Sequence, residues 1–411
     1  MSKWEWKKLG EVCEIHGRIG WQGLTRKEYR SSGDYLLITG INFTDNNTVD
    51  YESCVYVDKE RYVQDQYIQV RENDLLITKD GTLGKLALIA EMPPKPATLN
   101  GGLFVIRNPD NKIYPKFLMY VMKSEPFRKM IRKSITGSTV PHLTQNMLVN
   151  FPIPIPSLSE QRSIVKQLDE KLTKIEKIKT NAKTNLKNAK ELFESTLEKE
   201  LSLGKDGALP SGWEWKKLGE VCNVKCGATP LKSDKSFWER GTVPWFTVDD
   251  IHEQGRVINS TKKAVTEKAL KKLTLFPKKT VLLCCTASVG EYAISNIEVT
   301  CNQQFNGLIV RDKNYLDPNY LFHFASTLKE KLLSVSGKTT IDFISNSKVC
   351  DIDIPLPPLS VQKEIVARLD KLSENVKRLE ANYKQIIADC DELKKSILKK
   401  TFEGDSRSSR E

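Results

Sequence analysis

The sequence predicts an α+β chain: two pseudo-symmetric mixed α/β globules joined by two long helices that form an antiparallel coiled coil. Three observations carry that expectation. The segment Trp4-Glu5-Trp6-Lys7-Lys8-Leu9-Gly10-Glu11-Val12-Cys13 recurs letter for letter from Trp213 to Cys222, an offset of 209 residues. The run Ile153-Pro154-Ile155-Pro156-Ser157-Leu158-Ser159-Glu160-Gln161 returns as Ile354-Pro355-Leu356-Pro357-Pro358-Leu359-Ser360-Val361-Gln362, an offset of 201. After each proline run comes a stretch without Gly or Pro, about 40 residues long, whose apolar residues keep helical spacing.

The elements follow in order. Residues 1–152 form the first globule. The β-rich runs Tyr35–Thr39 and Leu75–Thr78 and the turn residues Lys79-Asp80-Gly81 punctuate it, and a short helix is expected near Pro115 to Lys133. Residues 153–208 hold the proline junction and the first long helix. Its seam is Val165, Leu168, Leu172, Ile175, Ala182, Leu186, Ala189 and Phe193, interrupted by Lys179. Residues 209–353 form the second globule, with a β-rich run at Val281–Cys285 and a short helix near Pro318 to Leu333. Residues 354–411 hold the second junction, the second long helix and a tail. There Ile365, Leu369, Leu372, Val376, Leu379, Tyr383, Ile386, Cys390, Leu393 and Ile397 alternate spacings of four and three, a heptad seam. A helix of this length, roughly 60 Å at 1.5 Å per residue, needs a partner for its stripe, and the two equal helices are each other's obvious partner. Each globule, at about 150 residues, is large enough for its own core.

Composition narrows the class. Of 411 residues, 39% are hydrophobic and 28% charged, which suits a soluble globular protein and excludes a collagen-like or disordered one. No apolar stretch approaches the roughly 20 residues of a membrane span, and the N-terminal residues carry no signal core. Nine cysteines without a framework point to free thiols in a reduced, cytoplasmic setting. The net charge of +12 allows an anionic partner. It sits in no single basic arm, since residues 1–152 and 204–353 each carry 21 basic and 17 acidic groups. Four histidines disfavour a histidine-built catalytic or metal centre. A pseudo-twofold body suits duplex DNA, where half-sites on one face lie about 34–36 Å apart. A duplicated coiled-coil adaptor without DNA readout accounts for the same repeat.

The order globule, proline run, helix, globule, proline run, helix resembles the specificity subunit of type I restriction–modification enzymes. The residues that carry the resemblance are Ile153 to Gln161 with Ile164-Val165 and Leu168-Asp169, and their counterparts from Ile354 to Asp370. Leu209-Pro210-Ser211-Gly212-Trp213 looks like that family's approach to a target-recognition domain. Gly17-Arg18-Ile19-Gly20-Trp21, Asp80 to Lys85 and Gly137 to Leu143 are similar to its patterns in the first domain. So are Thr229-Pro230, Phe237-Trp238, Pro244 to Thr247 and Thr286 to Gly290 in the second. Gly101-Gly102 stands where the second copy keeps Asn302-Gln303-Gln304, a departure that bears on which bases are read.

The resemblance implies a non-catalytic DNA-binding subunit of a restriction system. Each domain reads one half of a bipartite asymmetric target. The helices set the spacer and hold two modification subunits that methylate adenine with S-adenosylmethionine. Two restriction subunits using ATP and magnesium can join. No cofactor or metal is implied in this chain.

Candidate DNA contacts follow from residue chemistry. Arg18, Trp21, Gln22, Arg26 and Lys27 mix basic, aromatic and amide groups, and Arg and Gln form bidentate pairs with guanine and adenine. Lys79, Asp80, Thr82 and Lys85 crowd one turn, where Lys suits phosphate and Asp a cytosine amine. Thr39, Ser138 and His142 complete the first-domain set. Thr229, Lys232, Ser233, Thr247, Asp249, Ser288, Gln303 and Gln304 form the second.

Several motifs have plainer readings. Asp317-Pro318-Asn319-Tyr320 resembles a methyltransferase amine box. It lacks the second proline and a preceding glycine-rich cofactor loop, so it reads as a helix start with proline near N1. A methyltransferase in its own right is thereby disfavoured. Gly81 to Lys85 lacks the spacing of a phosphate-wrapping loop. Cys222 and Cys226 form only one zinc-like pair, and Cys284-Cys285 lies in an apolar strand. Asp249-Asp250 fits a loop better than a metal pair. Lys171, Lys174 and Lys177 suit solvated helix faces or partner contacts.

Overall fold

The computed structural model describes residues 4–19, 23–135, 142–201, 209–335 and 343–403. The chain folds as two compact units. Unit 1 comprises Met1–Lys183 and Gln385–Glu411, and unit 2 comprises Thr184–Lys384. Each unit is therefore one globule, the near half of the helix that follows it, and half of the other long helix.

Unit 1 contains strands β1 (Glu5–Lys8), β2 (Glu14–His16), β3 (Tyr35–Ile38) and β4 (Val55–Val57), helix α1 (Lys59–Val63), and strands β5 (Leu75–Thr78), β6 (Leu86–Leu88), β7 (Ala97–Leu99) and β8 (Leu103–Arg107). Helices α2 (Pro115–Met122), α3 (Glu125–Ile135) and α4 (Gln145–Val149), strand β9 (Pro152–Ile155) and the long helix α5 (Leu158–Leu201) follow. The expected single helix after Pro115 is thus two short ones. Ser124 folds its hydroxyl onto the carbonyl of Val121, and Pro126 sits in the first turn of α3.

Unit 2 repeats the pattern with β10 (Glu214–Lys217), α6 (Leu218–Val221), β11 (Cys222–Cys226), β12 (Val243–Phe246), α7 (Val248–Gln254), β13 (Val257–Ile258) and β14 (Lys263–Val265). Then come β15 (Val281–Cys284), β16 (Tyr292–Ser295), β17 (Thr300–Cys301), β18 (Phe305–Val310), α8 (Pro318–Ala325), α9 (Leu328–Val335), α10 (Asn346–Cys350), β19 (Asp353–Leu356) and α11 (Leu359–Glu403).

The sheets correspond strand for strand except that unit 2 adds β13 at one edge. In unit 1 one sheet runs β2-β8-β5-β6 and the other β4-β3-β7; in unit 2 the corresponding orders are β11-β18-β15-β16-β13 and β14-β12-β17. In both three-stranded sheets one pair is parallel, β3 with β7 and β12 with β17. The run Leu75-Leu76-Ile77 is apolar throughout because both faces of β5 are covered. Leu75 and Ile77 join the core under the helices, while Leu76 joins the core under the three-stranded sheet. Val281, Leu282 and Leu283 divide the same way in unit 2.

The two sequence repeats meet each other. Strand β1, from the Trp-Glu-Trp-Lys-Lys copy, pairs antiparallel with β9, from the proline run, and Glu5 faces Ile155. Strand β10 pairs with β19 in the same register, Glu214 facing Leu356. Prolines are tolerated there because each ribbon has only two strands and leaves the missing N–H unneeded. The next residues dock identically: the Leu9 N–H donates to the Phe151 carbonyl and the Leu218 N–H to that of Ile352, both at 2.8 Å. Gly10 and Gly219 are required by close packing, since a Cβ would strike Val149 and Cys350 at 2.6 and 2.8 Å.

The glutamine ending each proline motif is wholly buried and locks the junction. Gln161 Nε2 donates to the carbonyls of Lys112 (3.1 Å) and Pro156 (2.9 Å), and its Oε1 accepts from the Tyr114 N–H (2.7 Å). Gln362 repeats all three bonds, to Tyr315 (2.9 Å), Pro357 (2.8 Å) and from Asp317 (2.8 Å). About two turns on, Asp169 accepts from Tyr120 (2.5 Å) and Lys116 (2.7 Å), while Asp370 pairs with His323 at 2.8 Å. These carboxylates fasten α2 and α8 to the long helices.

Within each unit the two long helices run antiparallel. In unit 1, Glu176 pairs with Lys394 and Lys179 with Asp391 (2.5 Å), so numbers rise on one helix as they fall on the other. The Asp391 carboxylate raises the pKa of Lys179, the residue that interrupts the seam. In unit 2, Arg368 grips Glu200 at 2.6 and 3.2 Å. Val165, Leu168, Ile175, Ile365, Leu369 and Val376 are buried as expected, and Leu172, Leu186, Leu372 and Tyr383 are half-buried. The seam needs one correction. Leu379, Ile386 and Leu393 are 39%, 37% and 49% exposed. Beyond Val376 the covered face shifts by one residue, to Glu380, Tyr383, Ile387, Cys390 and Lys394. The facing helix offers Glu176 and Lys179 there, and ion pairs replace apolar knobs at those positions.

Candidate functional site

Loops gather at one end of the sheets in each unit, and the same hydrogen bonds tie them. In unit 1 the Asn100 N–H donates to the carbonyl of Ile38 (3.0 Å), Lys79 to Gly102 (2.9 Å), Leu143 to Lys79 (3.1 Å) and Gly84 to Thr78 (2.9 Å). In unit 2 the equivalents are Asn302 to Phe246 (3.2 Å), Cys285 to Gln304 (2.7 Å), Ile344 to Cys285 (2.9 Å) and Gly290 to Cys284 (3.0 Å). A fifth bond is also duplicated. The Thr39 N–H donates to Asn42 Oδ1 and the Thr247 N–H to Asp250 Oδ2, both at 2.8 Å, each opening a short helical turn. The segments after β3, β5 and β7 and before α4 are thus held in one frame, and so are their counterparts.

Several expected residues sit on this frame. In unit 1, Thr39 is half-buried, Lys79 lies 4.7 Å over the Phe104 ring, and the Asp80 carboxylate lies against the imidazole of the exposed His142. The turn that follows is pinned by Thr78, whose hydroxyl donates to the Thr82 carbonyl (2.5 Å) and accepts from the Lys85 N–H (2.9 Å), leaving the Thr82 and Lys85 side chains exposed. Gly101 and Gly102 close the frame without side chains.

Arg18 is placed inside the unit, only 3% exposed. Its Nε donates to Leu99 O (3.0 Å) and its Nη2 to Thr98 Oγ1 (3.3 Å), while Nη1 is buried without a partner. Arg26 and Lys27 are exposed on a separate turn. That turn is capped by Glu28, whose carboxyl is held down at about 2 by the Thr25 N–H and by Arg61. Trp21, Gln22 and Ser138 lie outside the described residues.

In unit 2 the positions of Asp80 and His142 are taken by Thr286 and Phe343, which form a β-bridge, and Phe343 is 56% exposed. Gln303 and Gln304 stand where unit 1 has the two glycines. Gln303 accepts from Thr229, and Gln304 from the Asn302 amide (2.8 Å). Lys232, Ser233, Asp249 and Ser288 are exposed on neighbouring turns. Asp249 and Asp250 do not form a pair: Asp250 is buried as the cap of α7 and also accepts from the Lys262 N–H (2.8 Å).

Sequence reasoning passed over Asn42, Asn100 and Phe343. Their importance lies in tertiary hydrogen bonds between loops far apart in the chain.

The thiols here are held neutral. Burial pushes Cys285 up to about 12 and raises Cys226 and Cys284. Cys222 and Cys226 lie four positions apart on one strand, roughly 13 Å at 3.3 Å per residue, too far to share a metal. Among the described residues no cluster of His, Cys, Asp and Glu is arranged to hold a metal ion, and no helix is long and apolar enough to cross a membrane. Asp317 caps α8, accepting from the Asn319 N–H (2.7 Å) with Pro318 in the first turn, and Tyr320 is buried with its hydroxyl on the Pro355 carbonyl (2.7 Å). That motif is a helix start.

A family model described as type I restriction modification DNA specificity domain matches residues 1–188 and again 210–388. The type I restriction enzyme EcoprrI specificity subunit of Escherichia coli is 34% identical over 170 residues, 39% of this chain and 42% of that protein. The MjaIX specificity subunit of Methanocaldococcus jannaschii is 33% identical over 186 residues, 44% of this chain and 42% of that protein. The chain thus spans about two fifths of the length of these two curated relatives. A solved chain from work on complex assembly and conformational transition of the type I R-M system shares the fold. Its TM-score is 0.78 at 24% identity, covering 98% of this chain and 99% of that one.

Proposed function

Because the chain belongs to the type I restriction–modification DNA specificity family, we propose that it is the DNA sequence-specificity subunit of a type I restriction–modification complex. Each unit reads one half of a bipartite, asymmetric target through its loop frame. The observation that carries this reading is the frame itself, in which five hydrogen bonds are duplicated while the side chains they hold differ. A common frame presents both loop sets to the same kind of surface, and different side chains give each half its own donors and acceptors. Affinity comes largely from phosphate neutralisation and falls with salt.

The long helices set the spacer and bind two modification subunits. The exposed stripe Leu379, Ile386 and Leu393, at seven-residue spacing on α11, supports docking of partner helices there. The chain supplies recognition and no catalysis. S-adenosylmethionine belongs to the modification subunits, and ATP with magnesium to restriction subunits that join the complex.

The test is a genome-wide map of methylated adenines in cells carrying this chain and a modification subunit, against cells lacking the chain. A two-part motif that vanishes with the chain is the expected result. Replacing residues 1–152 by another member's domain changes one half of that motif, and a change in both halves refutes independent reading. Unchanged methylation in the cells without the chain favours the adaptor.

A further inference from the structure

A groove of about 840 Å³ opens on unit 1 beside its loop frame. Its walls are residues 43–47, the turn 83–86, helices α2 and α3, and the unit 1 segments of α5 and α11. Two walls continue the frame in sequence. The loop that starts at Thr39 runs on into 43–47, and the turn that starts at Lys79 and Asp80 ends at Lys85.

The groove combines an excess of positive charge with apolar walls. Lys85, Lys116, Lys123, Arg128, Arg132 and Lys394 line it, against the carboxylates of Asp45 and Glu176. Asp169 matches Lys116 and Glu176 matches Lys394. Lys85, Lys123 and Arg128 have no carboxylate in ion-pair reach among the described residues. The Lys123 ammonium is pushed down to about 8 by burial and then by Arg128, Lys116 and Lys394, which together outweigh the opposing pull of Asp169, the mark of an excess of positive charge around it. Much of the apolar lining is already covered: Met119, Met122, Phe127 and Leu398 are each 5% exposed or less, while Leu83 and Leu172 are half-buried. Unit 2 differs at the decisive position. Glu291 stands where unit 1 has Lys85, and it pairs with Arg256 at 3.0 Å and Lys329 at 3.9 Å.

We infer that the groove of unit 1 holds the phosphodiester backbone of duplex DNA flanking the base pairs that face the loop frame, an anchor that unit 2 does not share. This rests on the DNA-reading function proposed above. The contact is blind to sequence, so any duplex reports it. Phosphate neutralisation releases counter-ions, and each contact removed flattens the salt dependence of binding by a known amount.

The experiment compares the 411-residue chain with K85Q/K123Q/R128Q and with K271Q/K278Q/K313Q, which removes the same charge from exposed positions of unit 2. Binding to a mixed-sequence duplex of about 30 base pairs is measured from roughly 50 to 200 mM salt, where each phosphate contact contributes about 0.9 to the slope. The expected result is a slope shallower by about 2 to 3 for the groove variant and little change for the control. K85R/K123R/R128K keeps the charge and retains the slope. Equal losses in groove and control variants, or a groove variant indistinguishable from wild type, overturn the groove and leave the DNA-reading function standing. A wild-type chain that binds no duplex overturns both. Loss of poly-glutamate binding with duplex binding intact reassigns the groove to an acidic polypeptide.

Discussion

The two units hold their loops with the same bonds and fill them with opposite chemistry. Unit 1 places Lys79, Asp80 and His142 around two glycines, a charged rim over an open floor. Unit 2 places Cys285, Thr286 and Phe343 around two glutamines, a neutral rim with amides. The exact sequence repeats are elsewhere, in the ribbons and helix junctions. A duplicated chain therefore keeps identity where buried polar groups admit few solutions and diverges where side chains reach outward.

That contrast can be broken most strongly at one buried charge. In unit 1 Arg107 clasps Asp74 through two bonds, of 2.7 and 2.8 Å, with Asp74 only 1% exposed. Arg107 also donates to the carbonyls of Tyr67 and Gln69. The equivalent strand positions in unit 2 are Thr280 and Ile309, so the same sheet is built without the pair. Asp74→Ala leaves an unpaired buried cation and is expected to destabilise unit 1 by about 3–5 kcal/mol. Thr280→Ala, losing one hydroxyl bond to Pro277 (2.7 Å), should cost unit 2 about 1 kcal/mol. Carrying the unit 2 solution across, as Asp74→Thr with Arg107→Ile, should do less damage than Asp74→Ala because no charge is left alone. Urea unfolding followed by hydrogen exchange in each unit measures all three.

The junction glutamines test the opposite expectation, equality. Gln161→Ala and Gln362→Ala each remove three buried hydrogen bonds. Each should cost its own unit about 2–4 kcal/mol. A large effect in one unit and none in the other would show that the shared motif is not a shared lock.

Acid should separate the units again. At the same place on the equivalent helix, unit 1 has Tyr120 and unit 2 has His323. Burial lowers the His323 pKa and outweighs the raising effect of Asp370. The folded state therefore binds this proton less readily than the unfolded chain. Stability is full above the ordinary histidine range and declines as pH falls below about 6.5, by at most about 1.4 kcal/mol per pH unit. His323→Tyr should remove that slope from unit 2, and Tyr120→His should install one in unit 1. Thermal melts at a series of pH values read both.

Much of this architecture was legible. Gln161 and Gln362, the two tryptophan motifs and the helix lengths all announced themselves, because local repeats report local constraints. The runs at Leu75 and Val281 were plain strands because both their faces are covered. The exposed stripe Leu379, Ile386 and Leu393 was misplaced, since a heptad pattern reports spacing but not which neighbouring stripe meets the partner helix. Arg18 was expected at the surface and lies inside, because its acceptors, Leu99 and Thr98, are 80 residues and more away in the chain. The frame itself was hidden for the same reason.

The smallest expected effect lies in a single backbone angle. Gly81 and Ala287 occupy the same turn position, with φ of +69° and +65°. Glycine adopts that left-handed region freely, whereas an L side chain there costs about 1–2 kcal/mol. No atom lies within 4 Å of a Cβ at Gly81, so Gly81→Ala tests the angle alone. Glycine's greater freedom in the unfolded chain offsets part of the difference, by about 0.4–1 kcal/mol. Gly81→Ala should then destabilise unit 1 by about 1 kcal/mol or less, and Ala287→Gly should stabilise unit 2 by a similar amount. Ala287 lies between Thr286 and Ser288 on the loop frame, and strain kept at such a place points to a fixed loop pose. If so, Ala287→Gly will raise unit 2 stability and yet lower methylation at targets carrying its half-site. If stability rises and methylation holds, the strained alanine is a tolerated substitution, and the frame is set by its hydrogen bonds alone.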